Sequence, residues 1–267
     1  MAVCNLVEKE YNGRGFNRPM SSVIIIPTYN ERDNIPSLID QILALPIDVH
    51  IVIVDDNSPD GTGNLVDTIA QKESRVHCVH RPAKLGLGTA HIAGMRHAFS
   101  LNLEPILTMD ADFSHDPKYI PNIIAGLQHN DVMIGSRYVP GGGMEGRDTK
   151  LRFVSWGANF FARMILGIKA NDCTSGFRAY RRAVLESIDL DRIFSNGYSF
   201  LIEMIWFCQA RGWRIGETPI VYHDRQKGAS KISRKEIYKA TYTVLRLFYR
   251  RLRGRTPKPL NIDTTLD

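Results

Sequence analysis

The sequence predicts an α/β fold with a mainly parallel central sheet and helices on both faces. Three observations carry this expectation. Continuous β-branched runs such as "SVIIIPT" (22–28) have the composition of strands buried on both faces. Segments with helical spacing of their apolar residues alternate with these runs, at intervals that fit right-handed strand–helix–strand crossovers. Carboxylates and other polar residues gather just after the strands, the end at which parallel sheets bind ligands.

Taken in order, residues 1–20 are polar, with Gly13, Gly15 and Pro19, and are expected to form a mobile tail. After the first strand, "NIPSLIDQILAL" (34–45) aligns Ile35, Leu38, Ile39, Ile42 and Leu45 on one helical face. "VHIVIVDD" (49–56) reads as the second strand, followed by a helix near 62–73. "VHCVHR" (76–81) and "GTAHIAGMRHAF" (88–99) form the next strand and helix. "PILTMDAD" (105–112) is the fourth strand, "PKYIPNIIAGLQ" (117–128) the next helix and "DVMIGSR" (131–137) the fifth strand. The Gly-rich "VPGGGMEGRDTK" (139–150) reads as a flexible loop. "LRFVSWGANFFARMILGI" (151–168) is an aromatic amphipathic helix, suited either to core packing or to contact with lipid or a partner. "TSGFRAYRR" (174–182), two helical stretches and the strand-like "GETPIVYHD" (216–224) follow. A basic loop, "RQKGASK" (225–231), leads into a final helix near 233–253. The domain limits expected are a tail at 1–20, one α/β domain at 21–232, a basic amphipathic helix at 233–254 and a tail at 255–267.

The 267 residues carry a net charge of +6, and "YRRLRGRTPK" (249–258) contributes a run of cations without an acid. Such a surplus points to a phosphate-bearing partner: nucleic acid, nucleotide or an anionic membrane surface. The four cysteines (Cys4, Cys78, Cys173, Cys208) have no C-x-x-C spacing and read as free thiols of a reducing compartment. No apolar stretch is long and uncharged enough to span a bilayer, and the N-terminus lacks a secretory apolar core. The expectation is a cytoplasmic protein, or one lying on the cytosolic face of a membrane.

The chemistry concentrates on "MDADFSHDP". Asp110 and Asp112 are two residues apart on an extended chain and so face one side. Two anions crowded there repel unless a cation lies between them. A lone D-x-D is equally compatible with a helix N-cap or turn. Its company favours a site: Pro27, Tyr29, Asn30 and Glu31 end the first strand, Asp55, Asp56 and Asn57 the second, and Ser136 and Arg137 the fifth. Oxygen ligands suit Mg²⁺ or Mn²⁺, which complete their shells with water and substrate phosphates. Asp56 suits a base or ribose, and Tyr29 can cover a ring. His91, His97 and His115 have no ligand spacing and read as structural or surface residues. "GLG" at 86–88 lacks the full dinucleotide motif and reads as a tight turn.

The ordered set "SVIIIPTYNERDNI", "IVIVDDNSPDGT", "KLGLGTAH", "MDADFSHDP", "GSRY", "TSGFRAYR" and "DRQKGASKI" closely resembles the dolichol-phosphate mannose synthases, over about residues 22–240. These are inverting glycosyltransferases with a GT-A fold. The resemblance implies nucleotide contacts at Pro27, Tyr29, Glu31, Val54 and Asp56. It implies metal and diphosphate contacts at Asp110 and Asp112, with the Ala111 backbone near the nucleotide. Arg137 and Ser175 would meet phosphate near the transfer point, and Arg225 and Lys231 would close over donor or acceptor phosphate. Without the motif, Lys231 reads as one more solvated cation. Some members use a Gln on the metal two residues beyond the second acid; here that position is Ser114, a poorer ligand that water can replace.

The activity so implied is mannose transfer from GDP-mannose to a polyprenyl or dolichyl monophosphate, with Mg²⁺ or Mn²⁺. A sugar hydroxyl acceptor needs a general base. A phosphate monoester, with its second pKa near about 6, arrives ionised and needs cations instead. Processive synthases of this fold carry Q-x-x-R-W, but "QARGW" (209–213) has Gly212 at the Arg position, which favours the lipid-phosphate acceptor. The alternative is a sister transferase moving glucose or another sugar from a UDP donor. A nucleic-acid binder leaves the acidic rim unexplained, since it would repel a polyanion. The final helix places Ile237, Thr241, Val244, Leu245, Phe248 and Leu252 along one stripe, with Lys235, Lys239, Arg246, Arg250 and Arg253 over much of the rest. It suits a membrane surface rather than a span, with Trp156, Phe160 and Phe161 as a second contact and a separate membrane-anchoring subunit compatible with the same reading.

Overall fold

A computed structural model describes residues 21–146, 148–224 and 234–257. The apolar runs form a seven-stranded sheet in the order β3-β2-β1-β4-β7-β5-β8. Its strands are β1 (Ser22–Thr28), β2 (Val49–Asp55), β3 (Val76–His80), β4 (Ile106–Thr108), β5 (Val132–Ser136), β7 (Arg178–Tyr180) and β8 (Ile215–Pro219). A separate parallel pair joins β6 (Gly143–Glu145) to β9 (Val221–His223). Helices α1 (Ile35–Leu43), α2 (Thr62–Ala70), α3 (Leu87–Ser100), α4 (Ile120–Ala125), α5 (Thr149–Leu166), α6 (Arg182–Glu186), α7 (Tyr198–Ala210) and α8 (Arg234–Leu252) complete the chain.

The sheet separates two cores, as its double-sided apolar runs require. Val23, Ile25, Val52 and Val54 face α3 and α7, while Ile24, Ile26, Ile51 and Ile53 face α1 and α4. Strands β1, β2, β3 and β4 are mutually parallel. The sequence expectation of strand–helix alternation is met up to β5 and departs from it afterwards. β7, within "TSGFRAYRR", runs antiparallel between β4 and β5, and three residues are too few to show a period. The glycine-rich stretch expected as a loop contains β6, and "GETPIVYHD" divides at Ile220 between two sheets. β4 is shorter than expected because its last residues leave the ladder. The helix expected at 117–128 has 3₁₀ turns at both ends.

Helix α8 packs on α5 and α7. Its buried row is Thr243, Val244 and Leu247, flanked by Ala240 and Phe248, rather than the full expected stripe. Ile237, Leu245 and Leu252 stay exposed, together with Tyr238, Tyr242 and Tyr249. Two adjacent apolar rows run along this helix, and spacing alone does not tell which one a neighbour covers. Beside it, α5 exposes Phe153, Trp156, Phe160 and Met164; Trp156 stacks on Phe160 at 5.4 Å and meets Phe153, tilted, at 5.8 Å. Phe161 instead packs against the core. Among the described residues, no helix is long and apolar enough to cross a membrane.

Candidate active site

Strands β1, β2, β4 and β5 all end on one rim, and the chain turns sharply as it leaves three of them. Asn30, Asn57 and Phe113 have φ of 61°, 56° and 59°. Asn tolerates this left-handed region; a bulky Phe there is strained, by about 1–3 kcal/mol. Phe113 directly follows Asp112, so the strain sits in the turn that presents the acid pair.

Where the resemblance implies nucleotide contacts, called the nucleotide side below, Pro27 and Val54 are register partners across β1 and β2. Val54 is wholly in the core, and its carbonyl accepts from Thr28 Oγ1 at 3.4 Å. Tyr29 lies beneath the Lys84 ammonium, 3.8 Å from the ring centroid. Glu31 accepts a hydrogen bond from Asn34 Nδ2 at 2.7 Å, and its own N–H donates to Thr62 Oγ1. Asp56 is buried and pairs with Arg81 at 2.8 Å, which is buried too. Burial raises the Asp56 carboxyl above its ordinary value, and the charge of Arg81 and the Gly86 N–H offset this only in part. Arg81 in turn donates to Thr89 Oγ1 at 2.6 Å and to the Gly86 carbonyl at 3.4 Å. Gly86 has φ of 105°, and a Cβ there would stand 2.1 Å from Asn196 Nδ2, so only glycine lets this loop dock against the segment before α7. Asn196 fastens it by accepting from Gly88 N–H and donating to the Leu85 carbonyl.

Asp110 is partly exposed at the rim, and Asp112 is buried behind it. Ala111 between them is buried. Ser114 donates to Asp112 Oδ1 from its N–H at 3.1 Å and from its hydroxyl at 2.5 Å. Fully buried, Ser114 orients this carboxylate. His115 Nδ1 accepts the Asp110 N–H at 3.0 Å, so its contact with the Asp110 carboxylate, at 3.9 Å, is made by an unprotonated nitrogen and is no ion pair. The ring is fixed against Phe177. Two carboxylates on hard-oxygen geometry, one at the rim and one braced by hydrogen bonds, fit a divalent ion such as Mg²⁺ or Mn²⁺.

Arg137 and Asp172 form a buried bidentate pair, with Nε and Nη2 each 2.7 Å from a carboxylate oxygen. Burial alone would raise Asp172, but the Arg137 charge and hydrogen bonds outweigh it and hold the carboxyl below its ordinary value. Arg178, also fully buried, donates to the Leu201 and Cys173 carbonyls and adds to this effect. Two buried guanidiniums therefore flank one buried carboxylate. Ser175 donates its hydroxyl to the Gly135 carbonyl at 2.7 Å, a bond that holds the β5 end against the turn. Arg225 and Lys231 lie outside the described residues, as do the N-terminal tail and residues 258–267.

Asp110, Arg137 and Ser175 meet in one cavity. Its floor is polar, completed by His115, Ser155 and Thr174; its walls are Val154 and Ala158 of α5, Leu201 and Ile202 of α7, and Ile237 and Ala240 of α8. An apolar groove continues from it between α5 and α8, past Gly157, Phe161 and Val244. The nucleotide-side residues stand on the neighbouring strand ends outside this cavity. Sequence reasoning missed Arg81, Asp172, Arg178 and Ser155, and it set His115 aside. The strand run ending at Arg81 was a usable signal; the others become neighbours only through the sheet.

The model of "Glycosyl transferase family 2" matches residues 23–189. The chain is 41% identical over 225 residues to the polyprenol monophosphomannose synthase of Mycolicibacterium smegmatis, covering 84% of this chain and 85% of the relative. It is 40% identical over 227 residues to the undecaprenyl-phosphate mannosyltransferase of Micrococcus luteus, covering 85% and 93%. Among solved structures, glucosyl-3-phosphoglycerate synthase from Mycobacterium tuberculosis, in complex with Mn²⁺, UDP and glucosyl-3-phosphoglycerate, superposes with a TM-score of 0.62 at 19% identity. That likeness covers 97% of this chain and 85% of the other, and it shows a shared GT-A architecture. With a family model spanning more than half of its length and two relatives near two-fifths identity, this chain belongs to glycosyl transferase family 2.

Proposed function

We propose that this enzyme transfers mannose from GDP-mannose to a polyprenyl monophosphate while resting on the cytosolic face of a membrane. Mannose transfer to a polyprenyl phosphate is the activity of its two-fifths-identical relatives. The observation that carries the reading is the cavity beside Asp110. Among the described residues lining it, Asp110 is the only carboxylate, and its place at the rim pairs it with Asp112. A hydroxyl acceptor would need a second acid as base. A phosphate monoester needs none, and Arg137 lines the same cavity as a cation for it. The apolar walls and the groove beyond them suit an isoprenoid chain.

Asp110 and Asp112 would hold Mg²⁺ or Mn²⁺, which supplies charge neutralisation for a departing nucleoside diphosphate. Asp56, fixed by Arg81, orients the base or ribose, and Tyr29 with Lys84 covers the ring. Arg137, fixed by Asp172, faces the acceptor phosphate, whose oxygen attacks the anomeric carbon opposite the diphosphate. Arg225 and Lys231 would supply further cations for the phosphates in this reading. The exposed rings of α5 and α8 lie beside the groove mouth and rest at the lipid interface; a separate anchoring subunit is compatible with this placement, and nucleic acid has no part in it.

The test is transfer of label from GDP-mannose or UDP-glucose to short polyprenyl phosphates and to the corresponding alcohols. Transfer from GDP-mannose to the phosphate alone is expected. Comparable rates on the alcohol would remove the base-free reading, and preference for UDP-glucose would make the enzyme a sister transferase.

A further inference from the structure

β3 is the edge strand of the main sheet, and α2 packs against one of its faces. On that strand Cys78 and His80 are two residues apart and therefore point to the same side. α2 contributes Asp67. His80 Nε2 lies 2.9 and 3.0 Å from the two oxygens of Asp67, and the donor atoms of all three residues lie within 4.8 Å of one another. Gly63 shapes the place: a Cβ there would stand 2.9 Å from His80 Cε1 and 3.0 Å from Nδ1, so the imidazole uses space a side chain would fill.

A plain surface ion pair accounts for His80 and Asp67, and such pairs contribute only about 0–1 kcal/mol. It leaves the thiol beside them, which packs against the core on that side of the sheet. Cys78 is half-buried, and its Sγ makes a long contact of 3.9 Å to the Gly63 carbonyl. Burial, then the nearby carboxylates of Asp67 and Asp55, push this thiol up to about 12. Three donor atoms of different kinds, from two facing elements, converge within reach of a single ion.

We propose that Asp67, Cys78 and His80 form a binding site for a thiophilic divalent ion of the zinc class, separate from the oxygen site at Asp110 and Asp112. Sulfur, imidazole and carboxylate ligands with water in the fourth position suit Zn²⁺, and Mg²⁺ does not choose sulfur. Bonds of about 2.0–2.3 Å require the ligands to spread by a few tenths of an ångström from their present contacts. On binding, the Cys78 Sγ–H proton passes to solvent, the proton that His80 Nε2 shares with Asp67 leaves that nitrogen for Nδ1 or solvent, and the thiolate and the freed imidazole nitrogen bond the ion. The ion would tie α2 to the sheet edge directly behind Asp55, which is the register partner of His80.

The experiment is a Co²⁺ titration of the full-length protein after chelator treatment. One equivalent is expected to produce a near-ultraviolet thiolate-to-cobalt charge-transfer band. The band should survive in Asp110→Asn, whose oxygen ligands cannot generate it, and vanish in Cys78→Ser. Zn²⁺ should raise the thermal midpoint of the wild type and of Asp110→Asn but not of Cys78→Ser or the exposed-site variant His80→Ala. No thiolate band in folded wild type, or an undiminished band in Cys78→Ser, would overturn the proposal.

Discussion

On the nucleotide side of the cleft, Asp56, Arg81, Thr89 and Gly86 form a closed polar network among strand ends and one helix start. On the acceptor side, the walls come from α5, α7 and α8, which are apolar and join a face of exposed aromatic rings. The first is built from neighbours that a parallel sheet brings together automatically. The second depends on helices far apart in sequence that meet only once the whole chain has folded. In the proposed reading the contrast follows the ligands: a nucleotide offers many polar groups to read, whereas an isoprenoid offers only length and apolar surface. The Arg137–Asp172 pair lies at the seam.

The sharpest way to isolate the catalytic rim is Asp112→Asn, which should lower turnover by about a thousandfold, in the range of lost electrostatic transition-state groups. Its thermal midpoint should stay near wild type, because the change removes one charge of a crowded pair. Chelation of the wild type should give the same loss, reversed by Mn²⁺ or Mg²⁺; full turnover in excess chelator would remove the metal reading. At the seam, Asp172→Ala leaves Arg137 buried without its carboxylate. A loss of about 3–5 kcal/mol in denaturant unfolding is expected, and a loss below 1 kcal/mol would show that water reaches the guanidinium.

His91 of α3 stacks on Phe200 of α7 where the two sides touch, and neither ring nitrogen has a hydrogen-bond partner among the described residues. Burial, followed by the Arg178 charge, lowers it from 6.5 to about 3. A depressed folded value means that the unfolded chain takes up the proton first. Stability is thus present above 6.5 and drains as pH falls toward 3. His91→Phe should spare about 2 kcal/mol of the loss between pH 7 and pH 5, seen as a flatter dependence of unfolding free energy on pH. An unchanged slope would mean that this imidazole has access to solvent.

Arg81→Leu tests the nucleotide network alone. It should raise the KM for GDP-mannose about tenfold, equivalent to about 1.4 kcal/mol, with kcat nearly unchanged; a fall in kcat at constant KM would assign Arg81 to the chemistry instead. The smallest effect belongs to the outer face. Trp156→Ala with Phe160→Ala should reduce flotation with anionic liposomes severalfold while sparing turnover on a short, soluble acceptor. Truncation after Ser233 compares α8 in the same assay. High salt should weaken whatever part of the binding its cations supply, although Arg246 and Arg250 already lie over Phe194 and Phe207 respectively, with Arg246 3.9 Å from the Phe194 ring. Flotation equal to wild type in both variants would detach this face from the membrane.

What the sequence determined by itself was everything that repeats locally. The β-branched runs announce β1, β2 and β5, because strands buried on both faces cannot tolerate polar residues. The same runs place Asp56, Asp110, Asp112 and Arg137 on one rim, because parallel strands share a direction. Tertiary structure alone decided what has no local period. The three-residue β7 is a strand only because β4 and β5 leave a gap for it. Asp172 is a partner of Arg137, 35 residues away, only because that strand turns the chain back beneath the rim. Likewise, α8 carries two apolar rows, and only its contact with α5 and α7 chooses which becomes core. Side-chain spacing encodes the direction of a strand or a helix face, whereas pairing across distant segments is set by which surfaces are left uncovered when the chain closes.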